Sequence, residues 1–182
     1  IYSCSVVYGT GILLIIRMST ELNNESSNNA DINLSGKGKR IAIIVAEWNS
    51  KITFAMLEGA TAILKKHDVA HTDIEIHNVP GAFELTLGAE WAGTQENIDA
   101  VICIGCVIKG ETPHFEYICQ GVTYGITELN ISLSKPIIFG VLTTNTAQQA
   151  IDRAGGIHGN KGVEAALTAL KMLKLRDQMN VG

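Results

Sequence analysis

The residues best suited to chemistry lie in the segment Gly105–Tyr117, where an apolar run, Ala100–Ile108, gives way to Lys-Gly-Glu-Thr-Pro-His. A helical pattern follows, so the sequence predicts a buried strand, a short loop and the first turn of a helix. The free N–H groups of that turn and the positive end of the helix dipole favour an anion in the loop. Gly110 lets the backbone approach a ligand, Thr112 is a candidate cap and Pro113 suits the first helical position.

His114 lies in the same predicted turn. An imidazole is the side chain best suited to moving protons near neutral pH. A proton carrier beside an anion-binding loop points to chemistry on a phosphorylated small molecule. The alternative is an ordinary strand–helix junction with a surface histidine, and this segment alone does not distinguish the two.

Length and composition predict one globular domain. The chain has 182 residues, 46% of them hydrophobic and 18% charged, which suffices for one real core but not for two comfortable domains. The formal net charge of −4 and the lack of a basic run argue against a sequence-independent nucleic-acid surface.

The four cysteines are Cys4, Cys103, Cys106 and Cys119. Cys103 and Cys106 fit a Cys-x-x-Cys pattern, but positions three apart on a strand point to opposite faces. We therefore expect neither a metal nor a disulfide at this pair. Unpaired buried thiols favour a reducing, cytoplasmic compartment.

The N-terminal 38 residues differ from the rest of the chain. Val6–Ile16 is largely apolar but shorter than the roughly 20 residues of a membrane span, and Arg17 follows the run, whereas a signal peptide carries its charge first. Residues 1–17, before Met18, are interpreted as upstream sequence or a gene-model artefact, with a transit or anchor segment as the alternative. Ser19–Lys39 is rich in Ser, Asn and Gly and predicts a flexible arm.

Apolar runs and helical patterns alternate through the remainder of the chain. Strands are predicted at Arg40–Ala46, Thr72–Val79 (an edge strand), Ala100–Ile108 and Ile137–Leu142. Helices are predicted at Ile52–Leu64, Ala82–Ala92, Phe115–Leu133, Thr146–Gly155 (with a capping box from Thr146 to Gln149) and Gly162–Leu175.

This order predicts a three-layer α/β/α sandwich with a four-stranded parallel sheet, flavodoxin-like in type. Open parallel sheets bind ligands outside the carboxyl ends of their strands. Every predicted strand end carries residues suited to a ligand: Trp48 and Asn49, Pro80–Glu84, Lys109–His114, and Phe139 with Thr143–Asn145. Four such ends at one edge support a binding site more strongly than any single motif does.

Four segments stand in a recognisable order: Val-Pro-Gly-Ala-Phe-Glu-Leu at Val79–Leu85, the segment Gly105–Tyr117, Phe-Gly-Val-Leu-Thr-Thr at Phe139–Thr144, and Gly-Asn-Lys-Gly at Gly159–Gly162. Together they resemble the 6,7-dimethyl-8-ribityllumazine synthase family (riboflavin synthase beta-chain family). The resemblance covers roughly residues 39 to 175. It predicts a domain at 39–176, an N-terminal segment at 1–38 and a C-terminal tail at 177–182.

The resemblance implies a transferase of riboflavin biosynthesis. The implied reaction condenses 5-amino-6-(D-ribitylamino)uracil with 3,4-dihydroxy-2-butanone 4-phosphate to 6,7-dimethyl-8-ribityllumazine. It proceeds through a Schiff base, loss of phosphate and ring closure, and it uses neither a metal nor an organic cofactor.

The resemblance also implies the roles of individual residues. His114 matches the family's proton-transfer residue. The implied substrate-binding residues are Trp48, Ala82, Phe83, Glu84, Cys106, Val107, Ile108, Glu111, Thr112, Phe139, Arg153 and Lys161. Trp48 would stack on the pyrimidine and Glu84 would accept hydrogen bonds from the ribityl chain.

By the same resemblance, Cys106–Ile108 would line the pyrimidine through the backbone. Glu111 and Thr112 would hold the phosphate, mainly through backbone N–H groups, and Arg153 would pair with it. Lys161 would support it electrostatically. Plain structural roles are the alternatives: core packing for Trp48, a first-turn acid for Glu84 and a solvated helix face for Arg153.

The resemblance implies an assembly as well. In the family the site is completed across an interface, with the aromatic residue (Phe139) and the arginine (Arg153) on different subunits, so a homo-pentamer is the smallest active unit. The short junction between the last two helices goes with twelve pentamers in a 60-subunit icosahedral shell, and riboflavin synthase is a candidate partner. Ile157 departs from the family, since many relatives have a lysine there.

Two other functions compete with the enzyme. A flavin- or nucleotide-binding module would use the loop at Gly110–Thr112 without needing His114 and Arg153 together, but the chain lacks G-x-G-x-x-G and G-x-x-x-x-G-K-[ST]. A structural shell protein that had lost activity would be favoured by loss of His114, Arg153 or Glu84, and all three are present.

Overall fold

The computed structural model describes residues 34–179, in which a parallel sheet lies between two layers of helices. The strands of this sheet are β1 (Ile41–Ala46), β2 (Ile74–Val79), β3 (Ala100–Ile108) and β4 (Ile137–Thr144). The helices are α1 (Ser50–Lys66), α2 (Leu85–Gly93), α3 (His114–Leu133), α4 (Ala147–Ile151) and α5 (Lys161–Gln178). A short antiparallel pair, β5 (Ala154–Gly156) and β6 (Gly159–Asn160), stands between α4 and α5.

The strand order of the sheet is β2-β1-β3-β4, and all neighbours are parallel. The predicted α/β sandwich and the edge position of β2 are confirmed. β4 is the other edge strand. Because every strand runs the same way, the four carboxyl ends meet at one edge of the sheet, where ligands of such folds bind.

The two faces of the sheet carry separate hydrophobic cores. One lies beneath α1 and α5 and contains Cys106; the other lies beneath α2 and α3 and contains Cys103. The prediction that these two thiols face opposite sides is therefore confirmed. β1 and the first seven residues of β3 are buried throughout, as expected of central strands covered on both faces.

Packing begins earlier in the chain than the predicted domain start at residue 39. Leu34 is buried, and its carbonyl oxygen lies 2.9 Å from Nδ1 of the buried His67 at the end of α1. The Gly36 N–H donates to the carbonyl of His67 over 2.6 Å. Residues 34–38 thus belong to the packed domain, whereas the predictions for residues 1–17 and most of the predicted arm lie outside the described residues.

The C-terminal helix is longer than predicted. α5 continues to Gln178, and Asp177 Oδ2 forms an ion pair with Lys39 Nζ over 2.8 Å. The predicted tail at 177–182 therefore begins inside this helix, and its last three residues lie outside the described range.

The segment after β4 departs most from the predicted pattern. The Thr146 cap is confirmed, since its Oγ1 accepts from the Gln149 N–H, but α4 ends at Ile151 rather than at Gly155. Gly155 and Gly159 have φ values of 120° and 74°, which favour glycine and turn the chain into the β5–β6 pair. Arg153 consequently lies in a connection and not on a helix face.

Within residues 34–179, no helix has the length and apolar character that crossing a membrane requires.

Candidate active site at the carboxyl edge of the sheet

The ends of β1 and β2 are joined by backbone hydrogen bonds that place Trp48. The Glu47 N–H donates to the Val79 carbonyl over 2.8 Å, and the Trp48 N–H donates to the Pro80 carbonyl over 3.1 Å. The Trp48 ring, 63% exposed, lies against Gly81, where a Cβ atom would stand only 2.6 Å from its Cε3. Glycine therefore lets an exposed aromatic ring lie across the turn, as the predicted stacking role requires.

The turn between β2 and α2 holds the second group of predicted residues. Glu84 accepts a hydrogen bond from the Gly81 N–H through Oε2 at 3.1 Å, which folds Pro80–Glu84 into a turn. This turn is why α2 begins at Leu85 and not at Ala82 as predicted. Ala82 is buried in the core, so it can offer a ligand its backbone only, whereas Phe83 is largely exposed.

The end of β3 supplies a surface of backbone and apolar side chains. Cys106 is buried and Val107 and Ile108 are half-buried. The carbonyl oxygen of Cys106 accepts a hydrogen bond from Asn49 Nδ2 over 2.9 Å. The sequence analysis placed Asn49 among the strand-end residues suited to a ligand but did not predict this bond. Its backbone is left-handed, with φ 59° and ψ 39°, a conformation in which asparagine is enriched.

The loop after β3 presents open backbone N–H groups. Its start is held by the Lys109 N–H, which donates to the Thr144 carbonyl of β4 over 2.8 Å. The N–H groups of Gly110, Glu111 and Thr112 donate to no other group among residues 34–179. Anion binding by these amides at the N-terminus of α3 stays a prediction.

His114 is the first residue of α3 and is exposed at the end of this loop. Pro113, in helical conformation, precedes it, and no side-chain hydrogen bond caps the helix. The expectation that Thr112 caps α3 is thus wrong, which leaves the first-turn N–H groups open to a ligand. The imidazole, the open amides and Trp48 all belong to the carboxyl edge of the sheet.

The remaining predicted residues line a cavity of about 540 Å³ along β4. Phe139, Thr143, Arg153, Lys161 and Glu164 contribute to its wall, and neither Trp48 nor His114 does. Arg153 Nη1 donates to the Gln149 carbonyl over 3.0 Å, and Lys161 Nζ lies 2.7 Å from Glu164 Oε2. Two cations beside one carboxylate give this cavity a positive balance.

Phe139 does not stand at the carboxyl end of β4, where the sequence analysis placed it. It is the third residue of the eight-residue strand and pairs with Cys103, well inside the sheet. Thr144 lies five positions further along the strand, which corresponds to roughly 16 Å. The predicted strand ended at Leu142, but Thr143 and Thr144 continue the ladder opposite Val107 and Ile108.

One copy of the chain therefore presents the predicted residues as two groups. The carboxyl-edge group contains Trp48, Ala82, Phe83, Glu84, Cys106, Val107, Ile108, Glu111, Thr112 and His114. The β4-edge group contains Phe139, Arg153 and Lys161. Phe139 and Arg153, which the resemblance assigned to different subunits, thus line one cavity of the same chain. No cluster of three or more His, Cys, Asp or Glu side chains arranged for a metal is found in residues 34–179.

Comparison with known proteins relates the chain to one family. Residues 38–177 match the family model of 6,7-dimethyl-8-ribityllumazine synthase. The chain is 55% identical to the 6,7-dimethyl-8-ribityllumazine synthase of Cytophaga hutchinsonii over 86% of its own length and 98% of that protein. The synthase of Porphyromonas gingivalis is 53% identical over 87% of this chain and 98% of that protein. The synthase of Phocaeicola vulgatus is 47% identical over 89% of this chain and 96% of that protein.

The family match spans almost the whole described domain, these relatives are covered nearly end to end, and both agree with the observed fold. The chain belongs to the 6,7-dimethyl-8-ribityllumazine synthase family.

Proposed function

We propose that this chain catalyses its family's reaction at a site built by two copies of the chain. As a family member it is a transferase of riboflavin biosynthesis, condensing 5-amino-6-(D-ribitylamino)uracil with 3,4-dihydroxy-2-butanone 4-phosphate to 6,7-dimethyl-8-ribityllumazine. The observation that carries the shared site is the position of Phe139. It lies roughly 16 Å along β4 from the carboxyl edge, too far to join Trp48 and His114 of its own chain.

The pyrimidine is bound by the carboxyl-edge group. The Trp48 ring offers a flat, exposed face for stacking, and the backbone of Cys106–Ile108 offers hydrogen bonds to the ring edge. Glu84 keeps Oε2 on the Gly81 N–H, so its other oxygen is available to a ribityl hydroxyl.

The phosphate of the second substrate is bound by the open amides of Gly110–Thr112 at the N-terminus of α3. Arg153 and Lys161 of a second copy supply positive charge from the opposite side. A guanidinium binds a phosphate through two parallel hydrogen bonds, so Arg153 both orients the substrate and stabilises the charge of the departing phosphate. Glu111 is an acid beside this anion and contributes through its backbone N–H.

His114 transfers protons beside this phosphate. Schiff-base formation removes the carbonyl oxygen as water, which needs a proton, and loss of phosphate requires removal of a proton from carbon. An imidazole can donate in the first step and accept in the second near neutral pH. Its place at the end of the phosphate loop brings both steps within reach of one side chain.

The assembly that forms such a site is a homo-pentamer, and twelve pentamers form a 60-subunit shell that can take up riboflavin synthase. Large apolar side chains are exposed along α2 and α3, and such surfaces in soluble proteins commonly mark interfaces. They are Leu87, Trp91, Tyr117, Tyr124 and Ile131. We place the protein in the cytoplasm, since its buried thiols are unpaired.

The direct test is formation of the lumazine product, followed by its absorbance, with both substrates present. Wild-type protein is expected to exceed the spontaneous background, and His114→Ala to lower kcat by about 10- to 10⁴-fold. Loss of a general acid–base costs about 10²- to 10⁴-fold, and less where the amine of the substrate compensates. A folded wild-type protein that gave no acceleration would favour ligand binding without catalysis.

A mixing experiment tests the shared site. His114→Ala and Arg153→Ala, each less active than wild type, are co-assembled in equal amounts. If each site takes His114 from one copy and Arg153 from another, about one quarter of the sites regain both residues in a random closed assembly. Activity no higher than that of the separate variants, in assemblies shown to be mixed, would place both residues in one chain.

A further inference from the structure

An ion pair links the two ends of the loop that is proposed to bind phosphate. Lys109, the first residue after β3, places Nζ 3.4 Å from Oε1 of Glu116, in the first turns of α3. Between them in the chain stand Gly110–Pro113, with the open amides, and His114. The pair is therefore positioned to control the geometry of the loop and of the imidazole.

The position of the Glu116 side chain depends on its ion pair with Lys109. Oε2 of this carboxylate is buried and has no hydrogen-bond partner among residues 34–179. A buried carboxylate oxygen without a partner is unfavourable, so the nearby ammonium is what favours the inward position of the side chain. Because the Glu116 N–H donates to the Pro113 carbonyl over 3.0 Å, a shift of Glu116 moves the turn that carries His114.

Lys109 is itself restrained. Its N–H is bonded to the Thr144 carbonyl over 2.8 Å, and Nζ lies 6.0 Å from the centroid of the Phe115 ring, within reach of a cation–π contact. The ammonium is thus directed at α3, where Glu116 and Phe115 lie on consecutive positions. This arrangement joins β4, the loop and the helix through one residue, by its backbone N–H and its side chain.

The pair adds little to overall stability, because the side chains are 49% and 43% exposed and such pairs are weak. Its effect on reaction geometry is larger, since a displacement of about 1 Å at a reacting group costs up to roughly 100-fold in rate. A weak contact can therefore matter for catalysis without mattering for folding.

We propose that Lys109 and Glu116 are positioning residues, which hold Gly110–Pro113 and the first turn of α3 in the form that receives the phosphate of the substrate. The proposal rests on the phosphate site described under the proposed function. It differs from a model in which Lys109 contacts the phosphate directly. In that model Glu116 competes for the lysine, so neutralising Glu116 would strengthen phosphate binding.

The test is steady-state kinetics with each substrate varied in turn, for Lys109→Met, Glu116→Gln, the double variant and Lys109→Arg. Each single neutral variant is expected to raise KM for the butanone phosphate about 3- to 10-fold, with KM for the pyrimidine changed less than about 2-fold. The double variant is expected to be no worse than the worse single variant, and Lys109→Arg to resemble wild type. Tm should stay close to that of wild type.

Lys39→Met is the matched control. It removes another lysine–carboxylate pair, to Asp177 at 2.8 Å, at the amino-terminal edge of the sheet. This variant is expected to keep both KM values.

The direction of the Glu116→Gln effect decides the outcome. An unchanged or lower KM for the butanone phosphate in Glu116→Gln would overturn the positioning role. So would a double variant whose increase in KM equals the product of the increases in the two single variants, because the two residues would then act independently. Equal increases in both KM values with a lowered Tm would also overturn it, because they indicate general damage to the fold.

Calorimetric titration with inorganic phosphate separates this proposal from the proposed function. It measures the affinity of the loop for phosphate in the absence of turnover. Weaker phosphate binding by Glu116→Gln than by wild type supports the positioning role even if the wild-type chain shows no catalysis, and equal binding overturns it.

Discussion

Asn49 donates a hydrogen bond from Nδ2 to the carbonyl oxygen of Cys106 over 2.9 Å, which joins the carboxyl ends of β1 and β3. The backbone of Asn49 is left-handed, and its own carbonyl accepts from the N–H groups of Ile52 and Thr53. One residue thus sets the start of α1, the direction of the chain after Trp48 and the position of the strand end proposed to line the pyrimidine.

Two substitutions at Asn49 separate its hydrogen bond from its backbone conformation. Asn49→Gly keeps the left-handed backbone and loses one hydrogen bond, so we expect the free energy of unfolding to fall by about 1 kcal/mol. Asn49→Ala adds left-handed strain and should lose about 2–3 kcal/mol in total. Urea unfolding at fixed protein concentration measures both. Equal losses would show that the strain at this position is negligible.

The contact of Trp48 with Gly81 gives a second prediction. In Gly81→Ala the new Cβ would stand 2.6 Å from Trp48 Cε3, so the ring must move. Because the ring is 63% exposed, the shift should cost little stability but should raise KM for the pyrimidine several-fold. In a Trp91→Phe background, Trp48 fluorescence reports the displacement. A shifted emission with an unchanged KM would show that Trp48 stacks on no substrate.

The sequence predicted those parts of the fold that depend on local pattern. Ala100–Ile108 was predicted to the residue because a strand buried on both faces is apolar throughout, and the site edge followed from the parallel order. The distance of Phe139 from the carboxyl end of β4 was not predicted, because the length of β4 is set by pairing of Thr143 and Thr144 with β3. Local pattern carries no such information.

The β5–β6 pair and the Asn49 bond were missed for the same physical reason. The pair depends on positive φ at Gly155 and Gly159 and on the bond from the His158 N–H to the Asp152 carbonyl. The Asn49 bond joins residues 57 positions apart. Both are stabilised by contacts that form only in the folded chain, so the residues involved look ordinary in the sequence.

The thiols of β3 are expected to be chemically inert in the native protein. Burial raises the pKa of Cys103 to about 12 and that of Cys106 to about 11. At pH 8 the reactive thiolate is therefore on the order of 0.1% or less of either group. Iodoacetamide should modify neither residue in the folded protein and both in urea, as peptide mass spectrometry would show. Rapid native modification of Cys106 would mean that the core opens at the site.

The opposite edge of the sheet contains an acid whose ionisation stabilises the fold. Asp99 accepts from the Arg40 N–H and from Arg176 Nη2, both over 2.8 Å. Burial raises the pKa of Asp99, but the hydrogen bonds from Arg40 and Arg176 together with nearby positive charge outweigh it, so the pKa lies below its ordinary value of 3.8. Ionised Asp99 thereby holds the starts of β1 and β3 against α5.

This depressed pKa predicts a specific loss of stability in acid. Because the carboxyl binds its proton more weakly in the folded than in the unfolded chain, its contribution is complete well above pH 3.8 and disappears as pH falls through the folded pKa. Asp99→Asn should lower the free energy of unfolding by about 1–2 kcal/mol at pH 7, and the gap to wild type should narrow below about pH 4. Urea unfolding across pH 2–7, with the exposed acid variant Glu58→Gln as control, measures this gap. A gap that stayed constant throughout would show that ionisation of Asp99 contributes nothing to the fold.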